Sequence, residues 1–160
     1  MAVFAEEPRM SVPTAPVVPS APAVPEKIVI VLAATLGVGQ AANVSACVAA
    51  GLAAASPGWA GAPLRDPDGM VSSAISHLPI IVLSADAVRM AQLRERLALA
   101  PPDGARLAVF PAYAREIHEA VQYWARHRET SHRDQPLLGV GLAGARRWIN
   151  ALTGSLPMLR

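Results

Sequence analysis

Residues 27–56, KIVIVLAATLGVGQAANVSACVAAGLAAAS, decide the fold, helped by a silence around them: no Asp, Glu, Lys, Arg or His occurs between Lys27 and Arg65. The stretch has two unlike halves. Ile28 to Leu32 is dominated by β-branched residues and predicts a strand, whereas Gln40 to Ala55 is mostly alanine and predicts a helix. Gly37-Val-Gly39 supplies a turn between them. A strand that passes through a glycine turn straight into a helix leaves backbone N–H groups and a positive helix end at a sheet edge, where α/β proteins hold ligands. An uncharged run of this length also raises the question of a membrane span. Gly37, Gly39, Gln40, Asn43 and Ser45 break it near its middle, and neither half can cross a bilayer alone, so no membrane segment is expected.

Outward to the N-terminus, residues 1–26 form a Pro-rich leader in which Pro13, Pro16, Pro19, Pro22 and Pro25 recur every third residue. Three residues per turn is the polyproline II repeat, and a disordered, semi-rigid leader is expected. Glu6, Glu7 and Arg9 interrupt anything resembling a signal peptide, so a cytoplasmic location is expected. Residues 27–160 are long enough for one α/β domain with a single core. Cys47 is the lone cysteine, so no intramolecular disulfide can form. A net charge of +2 argues against a dedicated nucleic-acid module; tRNA is the one nucleic-acid partner kept open. Thirteen Arg stand beside the single Lys27, which reflects coding bias more than phosphate recognition.

Toward the C-terminus, strand and helix signals alternate. Turn signals at Ser56-Pro57-Gly58 and Asp66-Pro67-Asp68-Gly69 mark a loop. Strands are expected at 78–83, 106–110 and 137–141. Between them fall a helix with Met90, Leu93 and Leu97 on one face, capped by Ser84 or Asp86, and a helix with Ile117, Ala120, Val121 and Trp124 as its core stripe. A last helix buries Ala145, Trp148, Ile149 and Leu152 and stops at Gly154. The expected architecture is a small three-layer α/β/α sandwich around a four-stranded sheet, mostly parallel or mixed.

Two glycine patterns stand where a dinucleotide fingerprint would. Gly37-Val-Gly39-Gln-Ala-Ala42 lacks an acidic partner about 20 residues on, and Gly139-Val-Gly141-Leu-Ala-Gly144 is followed by too little chain for the rest of the unit. No nicotinamide or flavin, and no other cofactor, is expected. Gln40, Asn43 and Cys47, at spacings of three and four, share a helical face; Gln40 and Asn43 could read a carbonyl or amide group, while Cys47 reads as a small buried hydrophobe. His77, His118, His127 and His132 show no metal spacing, two of them in or beside a solvated charged loop, so no metal site is expected. Asp66 and Asp68 are the best acidic candidates, yet a Pro-Asp-Gly turn accounts for them. No general base stands out, and the catalytic residues stay unknown.

Three blocks, Lys27 to Gly51, Gly61-Ala-Pro-Leu-Arg-Asp-Pro-Asp-Gly69 and Leu78-Pro-Ile-Ile-Val-Leu83, resemble the bacterial family known as domain of unknown function 2000 over essentially the whole domain. Leu137-Leu-Gly-Val-Gly141, followed by Leu152-Thr-Gly-Ser-Leu-Pro-Met-Leu159, is similar to the end of the type 2 peptidyl-tRNA hydrolases. That resemblance implies their compact sandwich and a homodimer. Their functional lysine has no counterpart in the turn from Gly37 to Asn43, nor has their Asp-Ala-Gly-x-Thr stretch before the last strand. What matches, Gly39, Gly141, Thr153, Gly154, Leu156 and Leu159, is scaffold.

Two functions follow. One is a hydrolase or transferase of an acylated or aminoacylated small substrate, with N–H donors at Gly39, Gly141 and Gly144, orientation by Gln40 and Asn43, and charge from Arg146 and Arg147. The other is a non-catalytic dimeric protein that binds a small ligand or regulates a partner.

Overall fold

The structure, a computed structural model, describes residues 24–56, 59, 62–99, 101–133 and 135–160; most of the leader, residues 1–23, lies outside them. In chain order the elements are β1 (Lys27–Ala33), α1 (Val38–Ala54), β2 (Leu64–Arg65), β3 (Val71–Ser72), β4 (Ile80–Ala85), α2 (Ala87–Leu97), β5 (Arg106–Pro111), α3 (Ala120–Glu129), β6 (Leu137–Gly144) and α4 (Arg146–Thr153). A 3₁₀ turn, Ala112–Arg115, follows β5. Four strands form one sheet in the order β4-β1-β6-β5.

Of the two expected arrangements, mostly parallel or mixed, the sheet takes the mixed one. β1 pairs with β4 in parallel, while β6 runs antiparallel to both β1 and β5. The connections explain this. Between β1 and β4 the chain crosses over through α1, which packs on the sheet face, and a crossover returns the chain parallel. Between β5 and β6 it passes through α3, which buries no residue, and so comes back antiparallel.

β1 sits centrally and is apolar on both faces, which is why it reads as a continuous run. Ile30 and Leu32 face α1, with Ala41, Val44 and Val48. Val29 and Val31 face the other layer, with Met90 and Leu93 of α2 and Ile149 of α4. Asp86, rather than Ser84, caps α2: its Oδ1 accepts a hydrogen bond from the Arg89 N–H at 2.8 Å. The outer side of β4 is covered by the C-terminal segment, where Ser84 N–H donates to Pro157 O at 2.9 Å and Leu159 N–H donates to Val82 O at 3.0 Å. β5 forms the opposite edge of the sheet.

Three expectations change. The glycine-rich segment 139–144 belongs to the strand β6 and is no turn. A Cβ on Gly139 would stand 2.5 Å from Val44 Cγ1, and one on Gly141 would overlap Val48 Cγ1 and lie 2.9 Å from Leu52 Cδ1. These glycines let α1 settle against the sheet. Residues 64–72, read as a loop, form the two-stranded hairpin β2–β3, and its Asp66-to-Gly69 turn puts Gly69 at φ 91°. Finally, α3 exposes Val121 and Trp124, 70% and 59% accessible, because it stands off the β5 edge where no sheet face exists to receive them.

Candidate functional site

The residues singled out in the sequence lie at two ends of the sheet. Gly39, Gln40 and Asn43 occupy the first turns of α1, just past the C-terminal end of β1. Gln40 Oε1 accepts a hydrogen bond from the Gly37 N–H at 3.4 Å, a helix-capping contact. Gln40, Asn43 and Cys47 do share a face, but it is the solvent face, and all three are exposed. Cys47 is therefore no buried hydrophobe; the core stripe of α1 is Ala41, Val44, Val48 and Leu52.

Gly141 and Gly144 are buried within β6, and Arg146 opens α4. The Arg146 N–H donates to Glu26 Oε2 at 3.0 Å, and the Glu26 N–H donates to Gly144 O at 3.1 Å. Glu26, assigned in sequence to the leader, thus closes the α4 N-terminus with the protein's own carboxylate. In the β1–β6 register Gly139 lies opposite Leu32 and Gly144 opposite Lys27. The α1 turn and the Gly144–Arg146 turn consequently stand at opposite ends of β1, about 20 Å apart at about 3.3 Å per residue. The structure does not bring these donors into one site. Asp66 also has a structural task, since its Oδ1 accepts a hydrogen bond from the Met70 N–H at 2.8 Å in the hairpin turn.

What the fold assembles instead lies along β5. On the α2 side is a cavity of about 480 Å³ whose apolar wall includes Leu97, Leu107, Val109 and Leu137, and whose polar rim is Arg94, His127, Ser131, His132 and Arg133. On the α1 side Cys47, Phe110, Tyr123 and His127 line a second cavity of about 480 Å³. His127, in the last turn of α3, borders both. Among the described residues no Asp or Glu lines either cavity. Arg94 Nη1 donates to Gln135 O at 3.0 Å, tying the loop after α3 to α2 and fixing the guanidinium at the rim.

Two of these rim residues, His127 and His132, meet Tyr113. Tyr113 Oη lies 3.1 Å from His127 Nδ1 and 3.4 Å from His132 Nε2, and the two imidazole nitrogens are 3.2 Å apart. The Tyr123 ring packs on His127 at 5.5 Å, and the Arg126 guanidinium stands 5.8 Å over the Tyr113 ring. Partial burial, and after it the neighbouring His127, hold the His132 imidazole below its ordinary value, favouring the neutral ring. Burial and the adjacent Tyr123 push the Tyr113 phenol up, against a smaller opposing pull from Arg126.

The sequence does not show this cluster, because the segment from His127 to Gln135 reads as a solvated charged loop. His127 is in fact helical, and both histidines are half-buried. The available signal was compositional: Tyr113, Tyr123, Trp124, His127 and His132 fall within twenty residues of a chain with few aromatics.

Among the described residues no helix is long and apolar enough to cross a membrane. No curated protein matches the chain. Atu0240, a protein of unknown function from Agrobacterium tumefaciens strain C58, is similar in structure, with a TM-score of 0.70 over 84% of this chain and 97% of that one at 22% sequence identity. At that identity the likeness concerns the fold alone. Residues 26–160 match the family described as protein of unknown function (DUF2000), and the chain belongs to that family.

Proposed function

We propose that the protein binds a small organic anion in the cavity between α2, β5 and the loop after α3. The observation that carries this reading is the pairing of Arg94 and Arg133 with Ser131 and His132 over an apolar floor, with no Asp or Glu among the described lining residues. A ligand with a carboxylate or phosphate and an apolar body fits such a wall: the body covers Leu97, Leu107 and Val109, and the charged group takes guanidinium N–H donors. Arg94 is already held by its bond to Gln135 O, so little side-chain freedom is lost on binding.

An acidic metabolite belongs to this class, and binding without catalysis is the reading favoured here. The acyl-transfer alternative asks Gly39 and Gly144 to act on one substrate from opposite ends of the sheet, and nothing in the arrangement supports it. Likeness to the type 2 peptidyl-tRNA hydrolases is retained as a proposal about fold. A homodimer is likewise proposed, for which the exposed Val121 and Trp124 of α3 offer apolar surface.

The experiment is a thermal-shift and calorimetry screen of short carboxylates and phosphomonoesters against their neutral esters or amides. Selective binding of the anions, lost in Arg133→Ala, is the expected result. Equal binding of charged and neutral forms would remove the basis for the proposal.

A further inference from the structure

The Tyr113, His127 and His132 cluster contains more convergence than hydrogen bonding can use. Each neutral imidazole nitrogen is either a donor or an acceptor. If His132 Nε2–H donates to His127 Nδ1, the phenol must share one of those two groups at each of its own contacts. No placement of protons gives three undivided hydrogen bonds to three pairs at 3.1, 3.2 and 3.4 Å. A cation changes this, because one centre can take all three donor atoms once the two imidazoles, whose centroids stand 4.2 Å apart at 50°, turn their lone pairs toward it. Donors bound at about 2.0–2.1 Å to a tetrahedral ion lie roughly 3.3–3.4 Å from one another, which is close to the spacing seen here.

The geometry points to a three-donor site for a divalent ion of the zinc class, formed by His127 Nδ1, His132 Nε2 and Tyr113 Oη. Two imidazoles suit Zn²⁺, Ni²⁺ and Cu²⁺ more than Mg²⁺ or Ca²⁺. Among the described residues no three His, Cys, Asp or Glu side chains form a metal set; the third donor here is a phenol. It comes from the 3₁₀ turn after β5, so the site joins that turn, the end of α3 and the following loop. Coordination displaces the phenolic proton to solvent, one per ion bound, and leaves both imidazoles neutral with their N–H groups turned outward. A fourth position stays open to water or to a ligand, as in zinc sites that are not purely structural. The proposal does not rest on the anion reading and is tested with metal alone.

The test uses the full chain, freed of any affinity tag and stripped with a chelator, titrated with zinc chloride in a calorimeter. One ion per chain is expected, with affinity falling at least about tenfold in His127→Ala and in His132→Ala and unchanged in the exposed His118→Ala. With Cu²⁺ in place of zinc, a visible phenolate-to-metal charge-transfer band is expected and should vanish in Tyr113→Phe. Should a histidine variant misfold, the imidazole resonances of the intact protein decide: zinc must shift those of His127 and His132 together. Wild-type affinity in both histidine variants, shifts confined to His77 and His118, or no binding at all would overturn the site.

Discussion

The motif Gly-Val-Gly occurs twice, at 37–39 and 139–141, and the two copies have opposite physical reasons for their glycines. At Gly37 and Gly39 an added Cβ would meet nothing within 4 Å, and neither residue takes a positive φ. At Gly139 and Gly141 the same atom would collide with Val44, Val48 or Leu52 of α1. The first copy opens the helix, and the second clears the floor on which that helix lies. A pattern read as two ligand-binding turns is a turn in one place and a packing surface in the other, so a glycine motif acquires meaning only from what approaches it.

Substitution should separate the copies. The largest effect is expected for Gly141→Ala, which must displace the stiff Val48 and should lower stability by about 1–3 kcal/mol in urea unfolding. Combining it with Val48→Ala should give less than the sum of the two single losses, with a coupling of about 0.5–3 kcal/mol. A neutral Gly141→Ala, or strict additivity, would break the comparison.

Next comes the contrast between helix starts. Glu26→Ala removes the carboxylate that closes α4 and should cost about 0.5–1 kcal/mol, measurable as a lower Tm, whereas Gln40→Ala at the α1 start should cost less because its contact is long at 3.4 Å.

Gly39→Ala should move stability the other way. The helical backbone there accepts alanine without strain, so unfolding should become harder by up to about 1 kcal/mol. A destabilisation comparable to that of Gly141→Ala would show that the open turn is constrained after all.

The smallest effect concerns a region neither copy touches. His132 is held below the ordinary imidazole value near 6.5, first by burial and then by His127. The unfolded chain therefore takes up its proton before the folded one does. The contribution of a neutral His132 is fully present above that ordinary value and is lost as pH falls through the lowered folded value. Tyr113 and His127 contact this group, and Arg94 and Arg133 line the same cavity. His132→Gln should flatten the decline in Tm below neutral pH, whereas the Gly141→Ala loss should not change with pH.

The strand, turn and helix of residues 27–56 were legible because their cause is local: β-branched residues, then glycines, then alanines, with no charge to compete. Alternation along the rest, a cap at Ser84 or Asp86 and the Met90–Leu93 face were legible for the same reason. The choice between a mostly parallel and a mixed sheet was not, because it depends on whether a connecting helix packs over the sheet, and α3 does not. Nor could periodicity show that Val121 and Trp124 face solvent, since it marks an apolar stripe without saying whether a surface exists to bury it. The meeting of Tyr113, His127 and His132 belongs wholly to tertiary structure. Their donor atoms come from a turn, a helix end and a loop, and nothing in their spacing brings them together until β5, α3 and the Arg94–Gln135 tie hold those segments in place.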